Sequence, residues 1–95
     1  DASKFLKSYY EKGIFTEDPF KTIDVNGVGK LLKVAITLAK RTNKNIHLGI
    51  CGEHGGDEKS IEFFNEVGLD YVSCSPYRVP SAILASARAQ IKKEM

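Results

Sequence analysis

Two short apolar runs, IHLGIC at 46–51 and LDYVSCS at 69–75, bracket one amphipathic stretch, DEKSIEFFNEVG. Each run reads as a strand. The stretch between them reads as a helix, with Asp57 as its N-cap and Gly68 at its C′ position. Loops this short imply a parallel strand–helix–strand unit with a right-handed crossover. Such a unit carries two demands that it does not meet by itself. Parallel sheets need cover on both faces, and two strands leave both sheet edges unpaired. The chain has 95 residues, at most one domain and near the lower end of what folds alone. The pattern therefore predicts an α/β class and a portion of an α/β barrel or doubly wound sheet. The opening DASKFLKSYY, with no initiator Met, adds to the expectation that the chain is a piece of something longer.

The remaining elements predicted from the sequence are helical. SKFLKSYYEKG reads as a short helix with Ser3 as N-cap, Phe5, Leu6 and Tyr9 on one face, and Gly13 as its stop. The segment IFTEDPFKTIDVNG is an irregular connector broken at Pro19 and Asn26-Gly27. VGKLLKVAITLAKRTN is the clearest helix. Its residues Val28, Leu31, Leu32, Ala35, Leu38 and Ala39 follow helical spacing, and Lys40 and Arg41 suit its C-terminal dipole. Pro76 closes the second strand. Pro80 suits the first turn of a last helix, PSAILASARAQIKKE, whose predicted apolar face is Ile83, Leu84, Ala87 and Ile91.

Composition removes several function classes. Fourteen Lys and Arg against twelve Asp and Glu give a formal charge of +2. That is too small and too scattered to imply a nucleic-acid or membrane partner. No apolar run approaches the ~20 residues that span a bilayer, and the first residues lack a signal-peptide core. The two cysteines, Cys51 and Cys74, each end an apolar run, so reduced thiols in an intracellular protein are expected. The cytoplasm is the first expectation for location, with an organelle as the alternative.

The segment LGICGEHGGD concentrates the chemistry. Strand alternation points Ile46, Leu48 and Ile50 one way and His47, Gly49 and Cys51 the other. The first set is bulky and suited to lie under helices; the second suits a barrel interior. Cys51 is then the last inward side chain, at the C-terminal mouth where α/β barrels place their chemistry. On residues alone the segment remains open between a turn, a metal site, a phosphate cradle and a catalytic loop. GEHGGD lacks the Lys-Ser/Thr of a Walker-type loop. Cys51, His54 and Cys74 give a C-x2-H-x19-C spacing, only three N/S ligands and no zinc pattern, so no metal ligand is assigned. In the second strand Cys74 shares the helix-facing side with Val72 and reads as a packed, inert thiol. His47 reads as an internal structural histidine.

GICGEHGGD followed by FFNEVGLDYVSCSPYRVP resembles the C-terminal end of the barrel domain of the phosphoenolpyruvate-utilising enzymes. DPFKTIDVNGVGKLL resembles the connector and helix before that family's cysteine strand. The resemblance covers nearly all of the chain and is most specific over 49–80. SAILASARAQ departs from the more usual IARLAAAQA pattern at Ser81, Ile83 and Arg88. The resemblance implies a (β/α)8 TIM-type barrel, with residues 1–95 forming about the last quarter of its phosphoenolpyruvate/pyruvate-binding domain. IHLGIC would be strand seven and LDYVSCS strand eight, leaving the segment incomplete as an isolated domain.

The implied activity belongs to the whole parent enzyme, a phosphotransferase. It interconverts ATP, phosphate and pyruvate with AMP, pyrophosphate and phosphoenolpyruvate. By resemblance Cys51 is the catalytic acid/base that protonates the pyruvate enolate and, as thiolate, removes a methyl proton in reverse. The residue type suits the task, because a thiol with an ordinary pKa of ~8.5 can be tuned toward neutrality. Gly52, Glu53, His54, Gly55 and Gly56 are candidate loop supports; Glu53 and His54 either orient the thiol or loop by hydrogen bonds or only satisfy the turn backbone. Mg²⁺ is the implied cofactor, stabilising the enolate oxygen, with ligands outside this segment. The implied partners are phosphoenolpyruvate or pyruvate, the rest of the barrel, and the parent's phosphohistidine and nucleotide domains. Neither His47 nor His54 matches the phosphorylated histidine. The segment alone is expected to be inactive and to self-associate as a homo-oligomer. The alternatives are another member of the family, such as phosphoenolpyruvate synthase, or a non-catalytic self-associating fragment.

Overall fold

The computed structural model describes residues 3–95. Four helices, α1 (Ser3–Glu11), α2 (Val28–Thr42), α3 (Glu58–Val67) and α4 (Val79–Glu94), accompany two strands, β1 (Gly49–Ile50) and β2 (Tyr71–Val72). Single 3-10 turns occupy Glu53–Gly56 and Pro76–Arg78. The strands pair in parallel, Gly49 opposite Tyr71 and Ile50 opposite Val72. The predicted element order is therefore present, and the unit is α/β.

Both strands are shorter than the predicted runs 46–51 and 69–75. Hydrogen bonds carry the pairing slightly further than the strands themselves. Asp70 N–H donates to the Leu48 carbonyl and Ser73 N–H to the Ile50 carbonyl, each at 2.8 Å. The Asp70 carboxylate accepts the Leu48 N–H, also at 2.8 Å. In the described residues each strand has a single neighbour, and a strand with one neighbour has nothing to ladder its other edge.

α3 is the centre of the packing. Phe63 and Phe64 join Ile23 of the connector in one buried cluster, against which Leu32, Ile50, Val67, Leu69 and Val72 pack. Ile61, on the same helix, meets Ala82 and Ala85 of α4, with Cys74 beside them. Burying each of the Phe and Ile side chains here is worth about 1.5–3 kcal/mol. The N-terminus of α3 is fixed by the predicted Asp57 cap, whose carboxylate accepts the Ser60 N–H at 3.0 Å and the Ser60 hydroxyl at 2.7 Å. Ser60 is wholly buried, and its Oγ accepts the Ile23 N–H at 2.9 Å. Thr22 Oγ1 donates to the other Asp57 oxygen at 3.3 Å. One cap thus secures both a helix and the connector that crosses it. Gly68 ends the helix in the left-handed conformation, φ 87°, as its C′ position predicts, and its carbonyl accepts from Lys40 Nζ at 3.0 Å.

The buried faces of three helices differ from the predicted ones. In α1 only Leu6 is buried, while Phe5 and Tyr9 are exposed; Tyr9 stacks on Phe15 at 5.4 Å between ring centroids. In α2 the buried residues are Gly29 and Ile36, with Leu32 and Ala39 half-buried; Val28, Leu31, Ala35 and Leu38 face outward. In α4 the buried stripe is Ala82, Ala85 and Ala89, and Ile83, Leu84 and Ile91 are exposed. At α4 the reason is steric. Ile61 projects from α3 toward α4, so the helices approach through small residues and the bulky stripe turns away.

Candidate functional site around Cys51

Cys51 follows Ile50 at the C-terminal end of β1, and its side chain is exposed. The predicted alternation is present on this strand. Ile46, Leu48 and Ile50 are half-buried, while His47, Gly49 and Cys51 are exposed. Ile50 lies against the α3 core, so Cys51 is on the face away from the helices. Cys74 is on the opposite side of the sheet, packed with Ile61, Ala82 and Ala85, as its predicted structural role requires. His47 is not internal in this chain: it is exposed. No element among the described residues covers that face, and the His47 ring leans at 46° against Tyr71 with 5.1 Å between centroids. The Tyr71 ring in turn covers Gly49, where a Cβ would overlap it.

The loop after Cys51 is held from several directions. Gly52 has φ 102° and ψ −170°, a conformation essentially restricted to glycine, and it turns the chain out of the strand. The loop then closes on itself, with Gly55 N–H donating to the Gly52 carbonyl at 3.0 Å and Asp57 N–H to the His54 carbonyl at 3.2 Å. Gly55 is buried directly against the Ser73 carbonyl, leaving no space for a Cβ. Close backbone approach, rather than phosphate binding, is therefore what this glycine provides.

Glu53 and His54 serve the loop in different ways. His54 Nε2 lies 2.8 Å from the Pro19 carbonyl. A carbonyl only accepts, so Nε2 carries the proton and the ring ties the connector to the loop. Glu53 is gripped by Arg78, whose Nη1 lies 3.2 Å from the Glu53 carbonyl oxygen and 3.4 Å from its carboxylate. The Arg78 stem also lies over Gly56. The His54 side chain thus bonds backbone, at Pro19, whereas the Glu53 carbonyl and carboxylate both face the Arg78 side chain.

Sequence reasoning did not single out Arg78, Thr22, Ile23 or Ser60. Arg78 lies far along the chain from the glycine-rich loop, and no spacing rule joins them. Ile23 sits in a connector whose breakers mask its burial. The signal that could have found Ser60 is the Asp57 cap, since an N-cap side chain accepts from the N–H two or three residues on.

No group of three His, Cys, Asp or Glu side chains among the described residues is placed to hold a metal ion. Cys51, His54 and Cys74 do not form a centre, because the sheet separates the two thiols. A cavity of about 510 Å³ lies under the connector, lined by residues including Phe15, Glu17, Pro19, Ile23 and Lys59, and includes none of the residues from Cys51 to Gly56. No helix among the described residues is long and apolar enough to cross a membrane. What the loop can offer chemically is an exposed thiol beside small residues, open to a substrate on one side.

Comparison with known proteins gives the setting for that thiol. Residues 16–93 match the family described as PEP-utilising enzyme, PEP-binding domain. The chain is 56% identical over 91 residues to the pyruvate, phosphate dikinase of Rhizobium meliloti (strain 1021), covering 96% of this chain and 10% of that protein. It is 51% identical over 94 residues to the pyruvate, phosphate dikinase of Clostridium symbiosum, covering 99% and 11%. It is 54% identical over 88 residues to the chloroplastic pyruvate, phosphate dikinase of Flaveria bidentis, covering 93% and 9%. The chain spans about a tenth of the length of these relatives.

Proposed function

The chain belongs to the PEP-utilising enzymes, matching their PEP-binding domain, and on that premise we propose that it forms the C-terminal segment of a pyruvate, phosphate dikinase. In this reading β1 and β2 are the last two strands of a (β/α)8 barrel, and the exposed His47–Gly49–Cys51 face lines its interior. The reaction of the whole protein interconverts ATP, phosphate and pyruvate with AMP, pyrophosphate and phosphoenolpyruvate. One observation supports this reading most strongly: identity above half to dikinases over almost the entire chain, with the exposed Cys51 thiol at the C-terminal end of β1.

Cys51 is the acid/base in this proposal. In the direction of pyruvate formation, the thiol S–H bond breaks and its proton goes to the terminal carbon of the enolate, leaving a thiolate. In the reverse direction the thiolate takes a methyl proton from pyruvate and the electron pair moves into the enolate. The fixed loop holds the sulfur, and Gly52 has open space beside it on the approach, while the Tyr71 ring fills the space over Gly49. Proton transfer by a positioned group contributes about 10²–10⁴-fold to rate.

Mg²⁺ supplies Lewis-acid stabilisation of an enolate oxygen when bound. In this reading its ligands lie in parts of the barrel outside the chain; no group of three candidate ligands occurs among the described residues. Location in an organelle is open to this protein as it is to the chloroplastic relative.

The test is a chimera in which this chain replaces the matching segment of the Rhizobium meliloti dikinase. It should form phosphoenolpyruvate from pyruvate, ATP and phosphate, and Cys51→Ala should remove that activity. A folded chimera without activity, or an active Cys51→Ala variant, contradicts the proposal.

A further inference from the structure

Arg78 reaches from the turn after β2 to the loop after β1, and we infer that it is a positioning residue that sets the placement of the Cys51 thiol. The inference rests on the acid/base reading of Cys51 given above. Its structural basis is the way the loop is held. The segment 52–56 contains three glycines, so few side chains are available to fix its backbone. Two side-chain hydrogen bonds to neighbouring segments do so. One is the His54 imidazole, which reaches outward to Pro19. The other is the Arg78 guanidinium, which comes in from another element and bonds the Glu53 carbonyl directly.

Arg78 has three simultaneous contacts on this loop. Nη1 meets the Glu53 carbonyl oxygen at 3.2 Å and the Glu53 carboxylate at 3.4 Å, and the aliphatic stem covers Gly56. A Cβ at position 56 would collide with that stem, so the small residue there leaves room for the arginine. Glu53 is two residues from Cys51. Rotation of the peptide plane at Glu53 would be passed to the thiol through Gly52, which has no side chain to resist it. The guanidinium offers several donors in a rigid plane, whereas a lysine ammonium is a point charge on a flexible stem. Arg78 is itself seated by its own 3-10 turn, whose Arg78 N–H donates to the Ser75 carbonyl at 2.9 Å. The turn starts at Pro76, four residues beyond β2. The end of one strand thereby braces the catalytic loop of its neighbour.

The experiment uses the full-length chimera with four variants: Arg78→Met, Arg78→Lys, Glu53→Gln and Cys51→Ala. Three readouts are taken: amide hydrogen exchange of residues 52–56, pyruvate methyl-proton exchange as kcat and KM, and the nucleotide half-reaction as a measure of folded enzyme. A displacement of about 1 Å can cost on the order of 10²-fold in rate. Arg78→Met should speed amide exchange in the loop and lower kcat by about 10- to 100-fold. KM and the nucleotide half-reaction should stay near their original values. Arg78→Lys should recover part of kcat, and Glu53→Gln, which keeps the carbonyl contact, should lose less than Arg78→Met. The inference is overturned if Arg78→Met leaves either loop exchange or kcat unchanged, or lowers kcat only in proportion to the nucleotide half-reaction. Failure of the underlying reading looks different: Cys51→Ala would retain methyl-proton exchange whatever happens at Arg78.

Discussion

The backbone of Gly55 rests against the Ser73 carbonyl so closely that a single added methyl would overlap the oxygen. The glycine-rich loop is therefore seated on the continuation of the second strand, and the two parallel strands share one C-terminal rim. Gly55→Ala should force the loop off this seat. Overpacking of this kind costs about 1–3 kcal/mol, and backbone, unlike a flexible side-chain end, has little freedom to yield. Faster amide exchange across 52–57 in the chimera is the expected result.

Gly52→Ala should act by a different route. Its Cβ would meet no atom within contact distance, so the cost is conformational. Holding a residue other than glycine at φ 102° and ψ −170° costs about 1–3 kcal/mol. The chain relieves that strain by turning the peptide, which moves Cys51. The expected outcome is a lowered pyruvate methyl-proton exchange rate with nucleotide turnover retained.

Ser60→Ala should loosen the connector more than the helix. The substitution removes the acceptor for the buried Ile23 N–H and one of the donors to Asp57. A buried donor left unpaired costs about 1–3 kcal/mol, roughly 5- to 150-fold in local opening at 1.4 kcal/mol per tenfold. Amide exchange at Ile23 should rise by that order. The Asp57 cap on the Ser60 N–H survives the change, so exchange at the start of α3 should rise less.

These relationships divide into those legible in the sequence and those that were not. Asp57 and Gly68 announce a helix start and stop by residue type, and the alternation of Ile46, Leu48 and Ile50 with His47, Gly49 and Cys51 gives the two faces of β1. Burial on α2 and α4 was less legible. Ile83, Leu84 and Ile91 form the bulkier stripe, yet α3 meets Ala82, Ala85 and Ala89. Periodicity marks a helix as having apolar faces; it does not say which one a given neighbour takes when there is more than one. The Arg78–Glu53 contact was illegible for another reason. It depends on the parallel pairing of β1 and β2, which brings distant loops to one rim.

The outward stripes lead to a prediction for the isolated 95-residue chain. Leu31 is 72% exposed on α2, which also exposes Val28, Val34 and Leu38, and Ile83 is 65% exposed on α4, which also exposes Leu84 and Ile91. Contiguous apolar surface beyond a few hundred Å² tends to be covered in solution. The isolated chain is expected to self-associate, and light scattering over a dilution series should show mass falling as concentration falls. A cooperatively folded monomer at every concentration would contradict this expectation.

Lys59 gives a pH marker for the connector. A hydrogen bond from its ammonium to Glu17, at 2.8 Å, and the charge of that carboxylate raise its pKa above the ordinary 10.5, aided by Asp57 and opposed by desolvation. The pKa is raised on folding, so the contribution is complete below the unfolded value and is lost as pH rises through the folded one. The tie should persist through neutral pH and weaken only in the alkaline range. An NMR titration of the Lys59 side chain should show a midpoint above the ordinary lysine value, and Glu17→Gln should lower it.

The central claim is that Cys51 moves the proton at the pyruvate methyl carbon. The most direct measurement is exchange of pyruvate methyl protons with solvent deuterium, in the dikinase chimera with and without Cys51→Ala, using the nucleotide half-reaction to normalise for folded enzyme. The account predicts that exchange falls by at least about 10²-fold while the nucleotide half-reaction continues, and that Cys74→Ser leaves exchange close to normal. Methyl-proton exchange at the unsubstituted rate in the Cys51→Ala protein would contradict it.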